Sequence, residues 1–229
     1  MLRLKSRNKK AELKNNPFIQ SVKKRKALLA NVLSRWHEQN PNPRCELYYE
    51  TPYQLLVSVV LSAQATDKTV NRCMGPLYRA GFSIDTMLEW GEAGLLERIR
   101  SIGLAPTKAK NVHRLTHILK CQHEGQVPSL REELEALPGV GRKTANVVLG
   151  ELFRHPTLAV DTHVFRVGQR LGLHQEKNVE KAEQVLLKLI SSSALPKGHH
   201  WFVLHGRYIC KALAPHCGTC LLKDICPSV

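Results

Sequence analysis

Apolar residues recur at helical spacing along most of this chain. Leu28, Leu29, Val32, Leu33 and Trp36 fall on one face at i, i+3, i+4 steps. Asn40-Pro41-Asn42-Pro43 ends that helix. The run Pro52 to Ser62 (PYQLLVSVVLS) is nearly all apolar and would suit a buried strand. Its length and its helical company favour a central buried helix. Further helices are expected near 67–80, 83–90, 92–100, 107–123, 129–136, 142–153, 162–171, 178–192 and 198–212. Alternating strand patterns are scarce and Asn-Gly turns are absent. The fold class expected is all-α.

One helix pair has a distinctive turn. Residues 129–153 read SLREELEALPGVGRKTANVVLGELF. Ser129 and Glu132 have the spacing of a capping box. Leu130, Leu134 and Leu137 supply the first apolar face, and Ala145, Val148, Leu149 and Leu152 the second. Between them lies Leu137-Pro138-Gly139-Val140-Gly141. Gly139 and Gly141 admit backbone angles closed to residues with a Cβ, and they leave amides bare. Amides at the start of a helix can hold a phosphate, and Arg142 and Lys143 add positive charge there. Such a grip reads nucleic-acid backbone without reading sequence. The bland alternative is a hairpin closed by Pro and Gly.

Composition sharpens this. The 229 residues include 34 Lys and Arg against 19 Asp and Glu, a net charge of +15. A polyanionic partner, nucleic acid above all, accounts for such a balance. Arg3, Lys5, Arg7, Lys9, Lys10, Lys14, Lys23, Lys24, Arg25 and Lys26 crowd the start, with Glu12 the only acid among them. Residues 1–23 are expected to form a mobile basic tail. They lack the apolar stretch of a signal peptide, and no apolar run reaches the ~20 residues of a membrane helix.

Cys210, Cys217, Cys220 and Cys226 follow a C-x6-C-x2-C-x5-C pattern. Four-cysteine zinc sites usually pair two C-x2-C knuckles across a longer gap. Unequal arms around one C-x2-C suit an iron–sulfur cubane, whose irons each take one thiolate. Zinc and a disulfide pair are the alternatives, the latter disfavoured by seven cysteines, an odd number. Cys45, Cys73 and Cys121 carry no motif.

Two further residues invite chemistry. Lys143 stands just inside the helix after the Gly139 turn. A deprotonated lysine amine attacks a sugar carbon and forms a Schiff base; the simpler role is a point charge for phosphate. Asp161 opens Asp161-Thr162-His163-Val164-Phe165-Arg166 and reads as a helix N-cap. A carboxylate there can also stabilise a developing oxocarbenium ion or accept a proton.

Four features stand in order: Leu61-Ser62-Ala63-Gln64-Ala65-Thr66-Asp67, the hairpin with Lys143, Val160-Asp161-Thr162-His163, and the four C-terminal cysteines. Together they closely resemble the endonuclease III family of DNA glycosylase/AP lyases, over about residues 24–229. The resemblance implies a two-domain, all-α helix–hairpin–helix glycosylase fold with a DNA cleft between the domains. A six-helix barrel would occupy 45–155, and a [4Fe-4S] domain would combine 24–44 with 156–229. It places the nucleophile on Lys143, the catalytic carboxylate on Asp161 and the cluster on Cys210, Cys217, Cys220 and Cys226. Gly139, Val140, Gly141 and Arg142 would hold DNA. Gln64 and Leu104 would fill the gap left by an extruded base, and Asp67 and His163 would line the base pocket. The implied substrate is double-stranded DNA with oxidised or ring-saturated pyrimidines or abasic sites, cut 3′ to the lesion by β-elimination. A monomer is expected, cytoplasmic at the nucleoid in a bacterium, nuclear or mitochondrial otherwise. The rivals are a mismatch-type adenine glycosylase, which lacks a lysine at position 143, and a non-catalytic DNA-binding module. One departure concerns Lys211-Ala212-Leu213-Ala214-Pro215-His216, less basic than the family's loop between the first two cluster cysteines.

Overall fold

The computed structural model describes residues 21–229. The expected basic tail therefore lies, through residue 20, outside the described residues. Ser21 is already a helix cap, accepting from the Lys24 amide. Ten α-helices and one 3-10 turn make up the described residues, with no strand among them. They are α1 (Val22–Gln39), α2 (Pro52–Ser62), α3 (Asp67–Arg79), α4 (Ile84–Arg98), α5 (Ala105–Gln122), α6 (Arg131–Glu135), α7 (Arg142–Phe153), α8 (Thr162–Arg170), α9 (Val179–Leu187) and α10 (Leu195–Tyr208), then the 3-10 turn Cys217–Thr219. No helix is long and apolar enough to cross a membrane, among the described residues.

The chain divides into two compact units. One is continuous, Cys45–Ala159. Its centre is α2, in which Tyr53 through Leu61 are all buried. A helix covered on every side needs apolar residues on every side, which is why its sequence shows no clear stripe. Its polar side chains are satisfied inside. Gln54 donates to the Phe82 carbonyl at 3.0 Å. Ser58 bonds the Tyr78 hydroxyl at 2.8 Å, and Tyr53 bonds Thr116 at 2.7 Å. Val70, Met74 and Tyr78 of α3, Met87 and Leu95 of α4, Val112 and Leu115 of α5, and Ala145 and Val148 of α7 close around it.

The helices expected at 83–90 and 92–100 run together as α4, broken at Gly91, whose φ is 63° and ψ −173°. The capping box expected at Ser129 does not form. Helix α6 begins at Arg131 behind Leu130, without a side-chain cap. Ser129 stands one residue too early for its hydroxyl to reach the first-turn amides. Leu130, expected on the apolar face, is 56% exposed, whereas Leu134 and Leu137 are buried.

The second unit joins the described residues up to Arg44 to Val160–Val229. Here α8 and α10 cross closely at Gly206, where an added Cβ would lie 2.7 Å from the His163 Cβ. Helix α1 packs Trp36 edge-on against Phe202 at 5.0 Å between ring centroids. Its Arg35 clamps Asp224 through both nitrogens, at 2.5 and 2.7 Å. Helix α10 starts at Leu195 with Pro196 in its first turn, three residues earlier than expected, because proline suits that position. It ends at Tyr208, so the first cysteine lies beyond it and not in its last turn.

Candidate functional site

In the Cys45–Ala159 unit, the hairpin turn sits between α6 and α7. Gly139 has φ of 81° and is closely packed: an added Cβ would meet Asn111 at 3.0 Å and Val60 at 3.2 Å. Both the angle and the space demand glycine. Gly141 is different. Its φ is −98°, an angle open to any residue, and a Cβ there would meet nothing within 4 Å. Its glycine is not required by conformation; it leaves the start of α7 uncovered. The Val140 amide is not bare, since it donates to the Leu137 carbonyl at 3.0 Å. The Val140 side chain is buried, so it anchors the turn.

Helices α1, α2, α3, α4, α8 and α9 each begin with a Ser, Thr, Asp or Asn whose side chain caps a first-turn amide. Helix α7 has no side-chain cap, and Gly141, Arg142 and Lys143 are all exposed. The first turn of a helix lies at the positive end of the helix dipole. The start of a helix can hold an anion, and Lys143 lies in this first turn.

Two other loops of this unit carry strain. Gln64 has φ of 54° and Leu104 φ of 62°. Both are exposed, Leu104 at 55% despite its apolar side chain. Left-handed backbone costs a residue with a Cβ about 1 kcal/mol or more, and such residues gather at functional sites. The loops are neighbours: a Cβ built on Gly103 would lie 3.7 Å from the Gln64 carbonyl. The structure therefore brings Gln64 and Leu104 together. Asp67, part-buried, opens α3 behind the Thr66 cap.

In the other unit, Asp161 caps α8. One oxygen, Oδ1, accepts from the His163 amide at 2.9 Å and the Val164 amide at 2.8 Å. Capping uses one carboxylate oxygen of two. His163, two residues on, is held by Arg166, which donates to its Nδ1 at 3.1 Å. Arg166 also donates to the Cys210 and Gly206 carbonyls at 2.9 and 2.8 Å. Arg170, one turn on, donates to the carbonyls of Lys211 and Ala212. Neither arginine was singled out by composition or motif. Their i, i+4 spacing on the helix that Asp161 opens is the signal that would have found them.

Cys210, Cys217, Cys220 and Cys226 line one cavity of about 200 Å³, with His205 and Arg170 in its wall. N–H donors reach the sulfurs: Arg170 to Cys210 at 3.4 Å and the Leu222 amide to Cys220 at 3.4 Å. Such donors suit thiolate ligands. Burial pushes the Cys220 and Cys226 thiols up and the buried His205 ring down to about 4. Among the described residues, no three His, Cys, Asp or Glu side chains converge to hold one metal ion. Four cysteines lining one cavity are a thiolate donor set that fits a bound iron–sulfur cluster. The loop between the first two, Lys211 to His216, is exposed throughout, Leu213 at 99%.

Residues 57–192 match the HhH-GPD superfamily of base excision DNA repair proteins. The chain is 48% identical over 201 residues to endonuclease III of Escherichia coli (strain K12), covering 88% of this chain and 95% of that one. Among solved structures it resembles a non-covalent endonuclease III–DNA complex, with TM-score 0.83, 40% identity and coverage of 89% and 95%. A trapped endonuclease III–DNA covalent intermediate matches with TM-score 0.82 at 40% identity, over 89% of this chain and 96% of that one. A neighbour at 21% identity, a thermostable thymine-DNA glycosylase with TM-score 0.76, shares the fold. With the hairpin, the capping aspartate and the four-cysteine cavity in place, this chain belongs to the endonuclease III family of the HhH-GPD superfamily.

Proposed function

We propose that this protein is a bifunctional DNA glycosylase and AP lyase of base excision repair, acting on oxidised or ring-saturated pyrimidines in double-stranded DNA. The observation that carries the reading is Lys143, exposed in the uncapped first turn of α7 behind the Gly139 turn. The amides there seat a backbone phosphate, which holds a sugar near the amine. A base inside a duplex must be extruded before chemistry can reach it. Gln64 and Leu104, held outward on strained backbone, fill the vacated position. The deprotonated Lys143 amine attacks the sugar C1′ and the base departs, while the Asp161 carboxylate stabilises the developing positive charge on the sugar. The Schiff base that forms acidifies the C2′ proton, whose loss expels the 3′ phosphate by β-elimination. Asp67 and His163 contact the extruded base. That a related endonuclease III forms a trapped covalent intermediate with DNA supports the covalent route.

Cys210, Cys217, Cys220 and Cys226 hold a [4Fe-4S] cluster in this reading. The cluster supplies a covalent tie between the end of α10 and the C-terminal loops, and no step of base removal needs an electron. The lyase reading is tested with borohydride and DNA carrying an abasic site. Wild-type protein is expected to form a covalent adduct, and Lys143→Gln to form none while still binding the DNA. A variant trapping at the wild-type rate would place the nucleophile on another amine.

A further inference from the structure

His205 takes no part in the chemistry above, yet it lines the cysteine cavity and is only 7% exposed. Its two ring nitrogens face two different groups. Nδ1 lies 3.3 Å from the indole Nε1 of Trp36 on α1. Nε2 lies 3.8 Å from the Cys220 sulfur. An indole N–H only donates. Nδ1 is therefore an acceptor and bears no proton. A neutral imidazole has one proton, which must then sit on Nε2, the atom that faces the sulfur. Packing holds the arrangement in place: Trp36 meets Phe202 edge-on at 5.0 Å and the His205 ring at 5.2 Å.

We propose that Trp36 and His205 form a donor relay onto Cys220 that raises the reduction potential of the cluster. The inference rests on the cluster reading given above. An N–H bond to a ligand thiolate stabilises the added negative charge of the reduced form. The relay differs from the other donors on these sulfurs. The Leu222 amide comes from the cysteine loop itself and Arg170 from α8. Trp36 instead links the cluster to α1, at the far end of the sequence. His205 acts through Cys220 and is a positioning residue.

The test is the one-electron potential of the purified full-length holoprotein, measured by voltammetry on an electrode that supplies or takes the electron. Iron content and visible absorbance are recorded beside it. His205→Leu is expected to shift the equilibrium toward the oxidised cluster by about tenfold, about 59 mV for a one-electron couple. Trp36→Phe keeps a ring against Phe202 and removes only the donor, so it should shift the same way by less. His205→Gln places an amide N–H where Nε2 was and should return the potential toward wild type. Unchanged potentials in His205→Leu and Trp36→Phe, at wild-type iron content, overturn the proposal. If His205→Leu assembles no cluster, Trp36→Phe decides alone, and an unchanged potential there is equally fatal. Wild-type protein without iron would refute the cluster reading itself, before any variant is measured.

Discussion

In the proposed mechanism Asp161 serves two purposes with one side chain. Its Oδ1 takes both amides of the α8 start, which leaves Oδ2 outside the cap. Asp161→Asn retains an oxygen for the cap and loses the charge. Thermal stability should change by less than about 1 kcal/mol, while single-turnover base excision falls by at least about a hundredfold, the scale of removing one electrostatic partner from a transition state. Normal excision would reduce Asp161 to a cap. Leu104 poses the converse case, an exposed apolar residue at φ of 62°. Leu104→Gly relieves the left-handed strain and gives up little burial, though the glycine loosens the unfolded chain. The unfolding free energy from denaturant titration should move by no more than about 1 kcal/mol in either direction. Excision from duplex DNA should drop, with cleavage of an abasic site in a mismatched, already unstacked context less affected. Equal losses on both substrates would argue against a gap-filling role. Asp161 was singled out in the sequence by its segment, and Leu104 by the family resemblance. Their backbone angles were not legible there, because φ is set by loops that close against one another.

At the scale of elements, the α8–α10 crossing is the tightest demand on a side chain. A methyl at Gly206 would lie 2.7 Å from the His163 Cβ and 3.1 Å from its Cα. Backbone cannot yield as a flexible side chain does. Gly206→Ala is expected to cost about 1–3 kcal/mol by overpacking. Because His163 takes the clash, damaged-base excision should suffer more than borohydride trapping at an abasic site, which presents no base. A variant as stable as wild type would mean that the two helices slide apart freely. The pattern of apolar positions located most helices to within a few residues, since a buried stripe at 3.6-residue spacing is a local property. It overextended α9 and misread Ser129 as a cap, because helix ends depend on which side chains can reach the first amides.

At the scale of the whole molecule, charge is the dominant feature. Six of the basic residues, Arg3, Lys5, Arg7, Lys9, Lys10 and Lys14, precede the Ser21 cap. Removing residues 1–20 spares that cap and lowers the positive charge. Affinity for undamaged duplex should fall, and the slope of log affinity against log salt should flatten by about 0.9 for each phosphate that is no longer neutralised. Single-turnover excision with saturating enzyme at low salt should change by less than about threefold, since Lys143 and Asp161 are untouched. An unchanged slope would make the segment a bystander in DNA binding.

What the sequence determined by itself was the all-α class, the polyanionic partner and the hairpin, and it singled out Lys143, Asp161 and the four cysteines as candidates. Those properties reside in residue type and short spacing, and both are fully present in a linear chain. Tertiary structure decided that Gly139 needs its glycine and Gly141 does not, and that Gln64 and Leu104 stand on neighbouring strained loops. It also joined Trp36 to Cys220 through His205, across 184 positions of chain by subtraction (220 − 36). No spacing rule spans such a separation. The contact exists only because α1 and α10 bury their apolar faces against each other, and burial obliges the indole and imidazole nitrogens to find partners inside.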